Sequence, residues 1–277
     1  MTKKHFALKF LREETLPTAF CPGCGSGIVM NCFLKALEEL GFHDLSGFAF
    51  VSGIGCAAWC VSPYFKADSL HTTHGRPIAF ASGLKLARPE LNVVVISGDG
   101  DIVGIGGNHL IHAARRNMDL LVICINNFNY GMTGGQVGPT TFHGVKTTTT
   151  PYGNPEYPFD LARLVDSAGA NFVARWTTVH VRPLINSIKK ALKKGGFRFI
   201  EVISQCPTSF GRRIGKHTGK DLMIWFREKS IHISKIQDDR EVNDKIIVGE
   251  FVNRDKPGFV RRLHEITLKL REKYDEN

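Results

Sequence analysis

An apolar run that ends in Gly98-Asp99-Gly100, followed 25 residues later by the pair Asn126-Asn127, constrains the fold of this chain more than any other feature. The run spans residues 93–97 and reads Val-Val-Val-Ile-Ser, which is typical of a buried parallel strand. A helical segment is predicted over 106–117, and a second apolar strand over 120–125. A strand, a helix and a strand within about 35 residues predict a right-handed crossover between parallel strands. Both carboxyl ends then open on one sheet edge, where α/β proteins bind ligands.

The residues at that edge predict a magnesium site. Asp99 offers a carboxylate and Asn127 an amide oxygen, and such hard donors suit Mg²⁺, which usually keeps phosphate oxygens among its ligands. Gly98 and Gly100 would let the backbone approach those phosphates. The alternative interpretation is an Asp-Gly turn and an unrelated Asn-Asn turn. The strand-helix-strand context favours the metal site.

The length and composition indicate one main α/β domain with a mostly parallel twisted sheet and helices on both faces. The 277 residues are 43% hydrophobic and 22% charged, as in an ordinary globular protein. We expect an N-terminal polar arm over 1–19, the main domain over 20–215 and a peripheral C-terminal extension over 216–277. No run approaches the roughly 20 apolar residues of a membrane span, and the N-terminus lacks a signal-peptide core, so a cytoplasmic location is expected.

Further elements follow from hydrophobic periodicity and from glycine and proline positions. The pattern predicts helices over 25–40, 76–87, 160–168, 179–194 and 258–273, and strands over 48–52, 171–174 and 197–203. The long loop over 130–153, rich in glycine and threonine, is predicted to be functional, because structureless stretches of this length are rarely idle.

The formal net charge of +10 permits a nucleic-acid partner or an acidic protein partner. The basic residues concentrate outside the predicted site, in pairs near 189–194 and 212–213 and in the C-terminal segment. Most of this charge is interpreted as solvated surface.

The seven cysteines indicate metal ligation or buried thiols, because an odd number in a reducing compartment argues against disulfides. Cys21 and Cys24 form a C-x-x-C turn that can reach one metal centre. Cys56 and Cys206 each follow a predicted strand and are the candidates for the other two ligands. Four thiolates could hold Zn²⁺ or a [4Fe-4S] cluster. The remaining positions are Cys32 and Cys124, read as core thiols, and Cys60, a possible substitute ligand.

Taken together, the motifs resemble a known family. They are CPGCG at 21–25, GIGC at 53–56, HTTHGR at 71–76, GDGD at 98–101, NNFNYGMTGGQ at 126–136 and QCPT at 205–208. The GDG and paired asparagines are similar to the thiamine diphosphate signature, and the whole order resembles the β subunit of 2-oxoacid:ferredoxin oxidoreductases, nearest the 2-oxoglutarate members. The resemblance covers about residues 17–215 and implies the thiamine-diphosphate-binding fold.

The resemblance implies a role for particular residues. It makes Asp99, Asn127 and the backbone carbonyl of Asn129 the Mg²⁺ ligands, and His74 the residue nearest the reacting carbon. It places a [4Fe-4S] cluster on Cys21, Cys24, Cys56 and Cys206. It also implies cofactor contacts at Ile54, Gly55, Cys56, Ala57, His71, His74, Gly98, Asp99, Gly100, Asp101, Asn127, Gly131 and Met132. His71 and His74 would otherwise be read as surface or core histidines.

The implied reaction is the coenzyme A-dependent oxidative decarboxylation of a 2-oxoacid, with electrons passed to ferredoxin, or the reverse carboxylation. 2-Oxoglutarate, giving succinyl-CoA and CO₂, is the preferred substrate, and pyruvate or branched-chain 2-oxoacids are the alternatives. Relatives often follow GIGC with a serine and then a small or basic residue, whereas Ala57-Ala58-Trp59 stands here. Recognition of a distal carboxylate is therefore assigned to Arg76 or to another subunit.

The resemblance also implies an α subunit that supplies the activating glutamate, since no glutamate of this chain has a suitable context. The chain alone is then expected to be inactive. Two other classes remain as alternatives: a non-redox thiamine decarboxylase, which would not need four converging thiolates, and a zinc-stabilised basic binding module, for which the C-x-x-C turn and the net charge are the support.

Overall fold

The computed structural model describes residues 5–236 and 245–275, and the described chain forms an eight-stranded sheet. The strand order is β2-β1-β3-β4-β6-β5-β8-β7. The strands are β1 (Phe48–Ser52), β2 (Asp68–His71), β3 (Asn92–Gly98), β4 (Leu121–Asn126), β5 (Phe172–Thr177), β6 (Arg198–Ile203), β7 (Ser230–His232) and β8 (Ile246–Asn253). All neighbouring pairs are parallel except β5 with β8. The mostly parallel α/β sheet predicted from the sequence is confirmed.

Helices cover both faces of this sheet. They are α1 (Ser26–Glu39), α2 (Pro77–Ala87), α3 (Gly107–Arg116), α4 (Leu161–Ser167), α5 (Val181–Lys193), α6 (Gly219–Lys229) and α7 (Phe259–Asp275). Alternate residues of one strand enter separate cores, because successive side chains point to opposite faces. Val94 and Ile96 pack in the core that contains α1, α5 and α6, and Val93 and Val95 in the core that contains α2, α3 and α4.

The predicted crossover is present, with one addition. Helix α3 follows β3 as expected and ends at Arg116, where the C-cap residue Asn117 adopts a left-handed φ of 56°. Between β3 and α3 the chain forms a turn of π-helix over Gly100–Ile105. This wider turn keeps Asp101 buried directly behind the end of β3.

Both ends of the chain are more integrated than the sequence suggested. In the segment predicted as a polar arm, Phe10 and Leu11 are buried in the core. The segment predicted as a peripheral extension contributes β7 and β8, and Val248 of β8 is buried against the same core. None of the helices in the described ranges has the length and apolar character of a membrane-spanning helix.

Candidate active site

Three neighbouring strands end at one edge of the sheet and bring the predicted site residues together. Gly98 at the end of β3 pairs with Ile125 of β4, and Asn126 at the end of β4 pairs with Ile203 of β6. Asp99 therefore follows one strand, Asn127 the next, and the segment that leads to Cys206 the third. The same-edge placement expected from the crossover is observed.

A cleft opens at this edge and gathers most of the predicted cofactor contacts. Its lining residues are Ile54, Gly55, Cys56, Ala57, His74, Gly98, Asp99, Gly100, Asp101, Asn127, Asn129, Tyr130, Gly131, Met132 and Thr133. Ile54 and Met132 are largely exposed at its rim, whereas Asp99 and Asp101 are buried at its base. An apolar rim over a polar base suits a ligand with one charged end.

Asp99 is a buried carboxylate, and two hydrogen-bond contacts offset part of the cost of burying its charge. Its Oδ2 lies 2.5 Å from the hydroxyl of Thr140, and its Oδ1 accepts a long bond of 3.5 Å from the amide of Asn127. Burial raises the pKa of Asp99 to about 6 despite these bonds. A carboxylate in this position gains from a cation, which would offset the cost of burying its charge.

Asn127 and Asn129, two of the predicted magnesium ligands, lie in one turn, and Asn129 differs from the prediction in which of its oxygens is available. Asn127 Oδ1 accepts from the Asn129 backbone amide at 3.3 Å and lies 3.2 Å from Asn129 Nδ2. The buried Asn129 Oδ1 is one of the oxygens that have no hydrogen-bond partner in the described part of the chain. An unpartnered buried acceptor in the cleft that the buried Asp99 also lines fits a hard cation such as Mg²⁺. Asn129 thus offers a side-chain oxygen where only its backbone carbonyl was predicted.

Asp101 lies at the junction of three segments of the cleft. Its Oδ1 accepts from the backbone amides of Gly75 at 2.7 Å and Ile54 at 3.2 Å, and its Oδ2 accepts from the hydroxyl of Ser97 at 2.7 Å. His74 Nδ1 lies 2.8 Å from the same Oδ1. Asp101 therefore fixes the loops that carry the other cleft residues, besides lining the cleft as the resemblance implied.

Two glycines of the GDG motif have different reasons for lacking a side chain. A Cβ on Gly100 would lie 2.3 Å from the ring of Tyr130, so this position excludes a side chain for packing reasons. A Cβ on Gly98 would be 3.8 Å from its nearest neighbour, Ala57. A side chain on Gly98 would therefore meet only ordinary van der Waals contacts, so packing does not explain this glycine and approach of a phosphate stays its predicted reason. For Gly100 that expectation is replaced by contact with the tyrosine.

The four predicted cluster ligands come from three segments of the chain and influence one another's pKa values. Burial raises the pKa of Cys24, and the neighbouring thiols Cys206 and Cys21 raise it further. Burial also raises the pKa of Cys56 to about 11, with contributions from the same three cysteines. No three His, Cys, Asp or Glu among the described residues form a group that could hold a single metal ion. The mutual influence on their pKa values places the four thiols in one neighbourhood, as the resemblance implied.

The other cysteines behave differently. Cys32 and Cys124 are buried in the core, as predicted. Cys60 is buried too, and its Sγ lies 3.7 Å from the carbonyl of Ser26. Charges on Cys24 and Cys56 contribute to raising its pKa, after burial itself. Cys60 therefore lies near Cys24 and Cys56 but inside the protein, whereas Cys21 is exposed.

Two predicted residues lie outside the cleft. His71 is exposed at the end of the edge strand β2, where its Nδ1 bonds the hydroxyl of Ser52 at 2.9 Å. The guanidinium of Arg76 donates to the carbonyls of Gly75 and Ile105, at 3.2 Å each. Neither side chain lines the cleft within this chain.

Sequence reasoning missed three residues of the site. Thr140 contacts Asp99 from the long loop, Tyr130 packs over Gly100, and Asn126 supports the turn that carries the other asparagines. The length of the loop signalled a function, but no local pattern singled out Thr140. Asn126 was recognised only as half of the Asn-Asn pair.

A parallel sheet with a buried aspartate and asparagines at its carboxyl edge is the arrangement of α/β proteins that bind phosphorylated ligands. Residues 53–202 match the family model described as thiamine pyrophosphate enzyme, C-terminal TPP binding domain. The chain is 56% identical over 269 residues to the 2-oxoglutarate synthase subunit KorB of Methanocaldococcus jannaschii, covering 96% of this chain and 99% of the relative. It is 55% identical over 264 residues to the subunit of the same name from Methanothermobacter marburgensis, covering 95% and 92%.

A solved structure agrees with these relatives. The 2-oxoglutarate:ferredoxin oxidoreductase from Magnetococcus marinus, with 2-oxoglutarate, coenzyme A and succinyl-CoA bound, matches with a TM-score of 0.85 at 32% identity. The match covers 97% of this chain and 91% of that one. The chain therefore belongs to the thiamine pyrophosphate enzymes and, within them, to the β subunits of 2-oxoacid:ferredoxin oxidoreductases, nearest the 2-oxoglutarate members. The thiamine-diphosphate-binding fold implied by the sequence motifs is confirmed.

Proposed function

We propose that this chain is the β subunit of a 2-oxoglutarate:ferredoxin oxidoreductase that binds thiamine diphosphate, Mg²⁺ and a [4Fe-4S] cluster. The observation that carries the proposal is that one residue belongs to both sites. Cys56 is one of the four interacting thiols and also lines the cleft that contains Asp99. A redox cluster held there would lie beside the cofactor. The names of the relatives support the substrate choice.

The residues of the cleft would divide the work of binding. Asp99, Asn127 and Asn129 would hold Mg²⁺ against the diphosphate, and Gly98, which lines the cleft without a side chain, would let the phosphates approach the backbone. When bound, thiamine diphosphate supplies a thiazolium carbon that accepts the electrons released as carbon dioxide leaves. The protein then has to anchor and orient the cofactor and to exclude water from the site.

His74 is the candidate catalytic residue. Its Nδ1 faces the Asp101 carboxylate at 2.8 Å, and its side chain is 36% exposed toward the opening. A carboxylate behind an imidazole fixes the orientation of the ring, as the Asp101 carboxylate is placed to do here. We therefore assign to His74 the handling of a proton near the reacting carbon.

Partners complete the proposed enzyme. An α subunit would supply the activating glutamate, coenzyme A would take the acyl group, and ferredoxin would take the electrons. Arg76 is held by backbone carbonyls outside the cleft, so recognition of the distal carboxylate of 2-oxoglutarate is assigned to the α subunit. A cytoplasmic location and the direction of the reaction remain predictions.

The test is anaerobic co-purification with the α subunit, followed by an assay of coenzyme A-dependent viologen reduction over a panel of 2-oxoacids. We expect the highest rate with 2-oxoglutarate, a visible sulfur-to-iron absorbance, and no activity from the isolated chain. A preference for pyruvate would overturn the substrate choice alone. A colourless complex without 2-oxoacid oxidation would favour a non-redox thiamine enzyme.

A further inference from the structure

A charged pair is buried inside the sheet, away from the cleft. Arg175 of β5 and Glu201 of β6 are register partners, and Arg175 Nε donates to Glu201 Oε2 at 2.6 Å. The side chains are only 9% and 2% exposed. Arg175 also donates to Asp160 at 2.5 Å. Because the cost of removing two charges from water can exceed the attraction between them, a buried pair is weak evidence of a role in stability alone.

The second oxygen of Glu201 connects the pair to the metal loop. Glu201 Oε1 accepts from Asn126 Nδ2 at 2.8 Å, and a carboxylate cannot donate in return. The amide of Asn126 must therefore present its nitrogen to Glu201 and its oxygen to the opposite side. On that side Asn126 Oδ1 accepts from the backbone amide of Phe128 at 3.0 Å and lies 2.9 Å from the hydroxyl of Thr140.

Both contacts of Asn126 Oδ1 bear on the magnesium ligands. Phe128 adopts a left-handed φ of 64°, which is costly for an aromatic residue and is held by the bond to the Asn126 side chain. This turn carries Asn127 and Asn129. Thr140 in turn contacts Asp99 Oδ2 at 2.5 Å.

We propose that Arg175 and Glu201 are positioning residues for the Mg²⁺-diphosphate site, because they fix the amide of Asn126 and, through it, the turn at Phe128 and the placement of Thr140. The inference rests on the proposed function for the identity of the ligand. Neither residue lines the cleft, so neither is a catalytic residue. Supporting residues around a metal site commonly affect affinity 10- to 100-fold, on the order expected here.

The substitution Glu201→Gln tests the orientation directly. The glutamine side chain has one acceptor oxygen, and this oxygen must face Arg175 because a guanidinium can only donate hydrogen bonds. Its amide nitrogen then faces Asn126, which must turn its own oxygen inward to meet it. Asn126 Nδ2 would then oppose the Phe128 amide, donor against donor, and the turn would lose its support.

The experiment uses the complex with the α subunit, stripped of metal, with Mg²⁺-dependent binding of thiamine diphosphate measured by calorimetry beside the melting temperature. We expect Glu201→Gln to weaken binding about tenfold or more. In the double variant Arg175→Met with Glu201→Gln, the acceptor is free to face Asn126 Nδ2, and we expect affinity to return to within about threefold of the wild type.

Arg254→Met is the matched control, since it breaks the ion pair with Asp166. Arg254 follows β8 beside the start of β5, at the opposite end of the strands from the cleft. This variant should lower the melting temperature without changing affinity. The proposal is overturned if Glu201→Gln lowers only the melting temperature, or if the double variant binds no better than Glu201→Gln. Failure of the wild-type complex to bind thiamine diphosphate with Mg²⁺ would instead overturn the proposed function.

Discussion

His74 Nδ1 lies 2.8 Å from the Oδ1 of Asp101, so the GDGD motif that carries the proposed magnesium ligand Asp99 also places a carboxylate against the imidazole at the mouth of the cleft. Asp101 binds two backbone amides and a serine hydroxyl as well. The two residues therefore differ in what their removal should do.

We expect His74→Ala to lower the turnover of the assembled complex by about 10²-fold, because a positioned proton-transfer group contributes on that order. Its half-exposed side chain carries little packing, so the melting temperature should stay unchanged. Asp101→Ala should lower both, since it leaves buried donors unsatisfied at about 1–3 kcal/mol each. Viologen reduction and circular dichroism separate the two effects, and equal melting losses in both variants would contradict the assignment.

When no metal is bound, the buried charge of Asp99 is expected to lower the free energy of unfolding. Its pKa is raised to about 6 by burial, so the folded state binds more protons than the unfolded state between about pH 4 and 6. Stability of the metal-free chain is therefore expected to fall as the pH rises through this window.

The matching variant is Asp99→Asn, which carries no charge. Without Mg²⁺ we expect it to exceed the wild type at pH 7.5 by on the order of 1–3 kcal/mol, and the difference to vanish near pH 4. With Mg²⁺ and thiamine diphosphate present, only the wild type should gain stability. Thermal melts across pH check this, with the exposed Asp44→Asn as control, and a wild type that is most stable at pH 7.5 without metal would contradict it.

The two glycines of the GDG motif provide a further test. Gly100→Ala would place a Cβ 2.3 Å from the Tyr130 ring, and we expect a lower melting temperature even without ligand. Gly98→Ala meets nothing nearer than 3.8 Å, so the unliganded protein should melt normally. If Gly98 admits the diphosphate, this variant should nevertheless bind thiamine diphosphate more weakly, as calorimetry would show. Unchanged affinity would remove phosphate approach as the reason for Gly98.

The cysteines divide into groups with different expected outcomes. Serine at any of Cys21, Cys24, Cys56 or Cys206 should abolish or sharply reduce the sulfur-to-iron absorbance of the anaerobic complex. Alanine at Cys32 or Cys124 should preserve it, because both lie in the core. Cys60→Ala is the critical case, since Cys60 interacts with Cys24 and Cys56, and loss of the absorbance there would make it a ligand.

The strands that position the site were predictable because they are continuous apolar runs with polar residues directly after them, as at Val95 and Asp99. The edge strand β2 gave no such signal, since all of Asp68–His71 are exposed. β8 was missed because it lies beyond the motifs, and its pairing with β5 is set by tertiary contacts.

The supporting residues of the site could not be predicted for a different reason. Thr140 meets Asp99 across 41 positions of sequence, and a threonine in a loop has no pattern that names its partner. Arg175 and Glu201 interrupt apolar strands, and only the register of β5 against β6 places them face to face. A charged residue inside an apolar strand indicates that a partner of opposite charge is needed. Hydrophobic periodicity does not predict which strands pair, so it could not identify that partner.

The four interacting thiols belong to parts of the chain that the ribosome makes at very different times. Cys21 and Cys24 emerge first, Cys56 soon afterwards, and Cys206 only after β6 has been synthesised. A nascent chain therefore holds an incomplete ligand set until the centre of the sheet has paired. Under the proposed function, a cluster that needs all four thiols would be inserted only after β6 has formed, as a late step of maturation tied to the completion of folding.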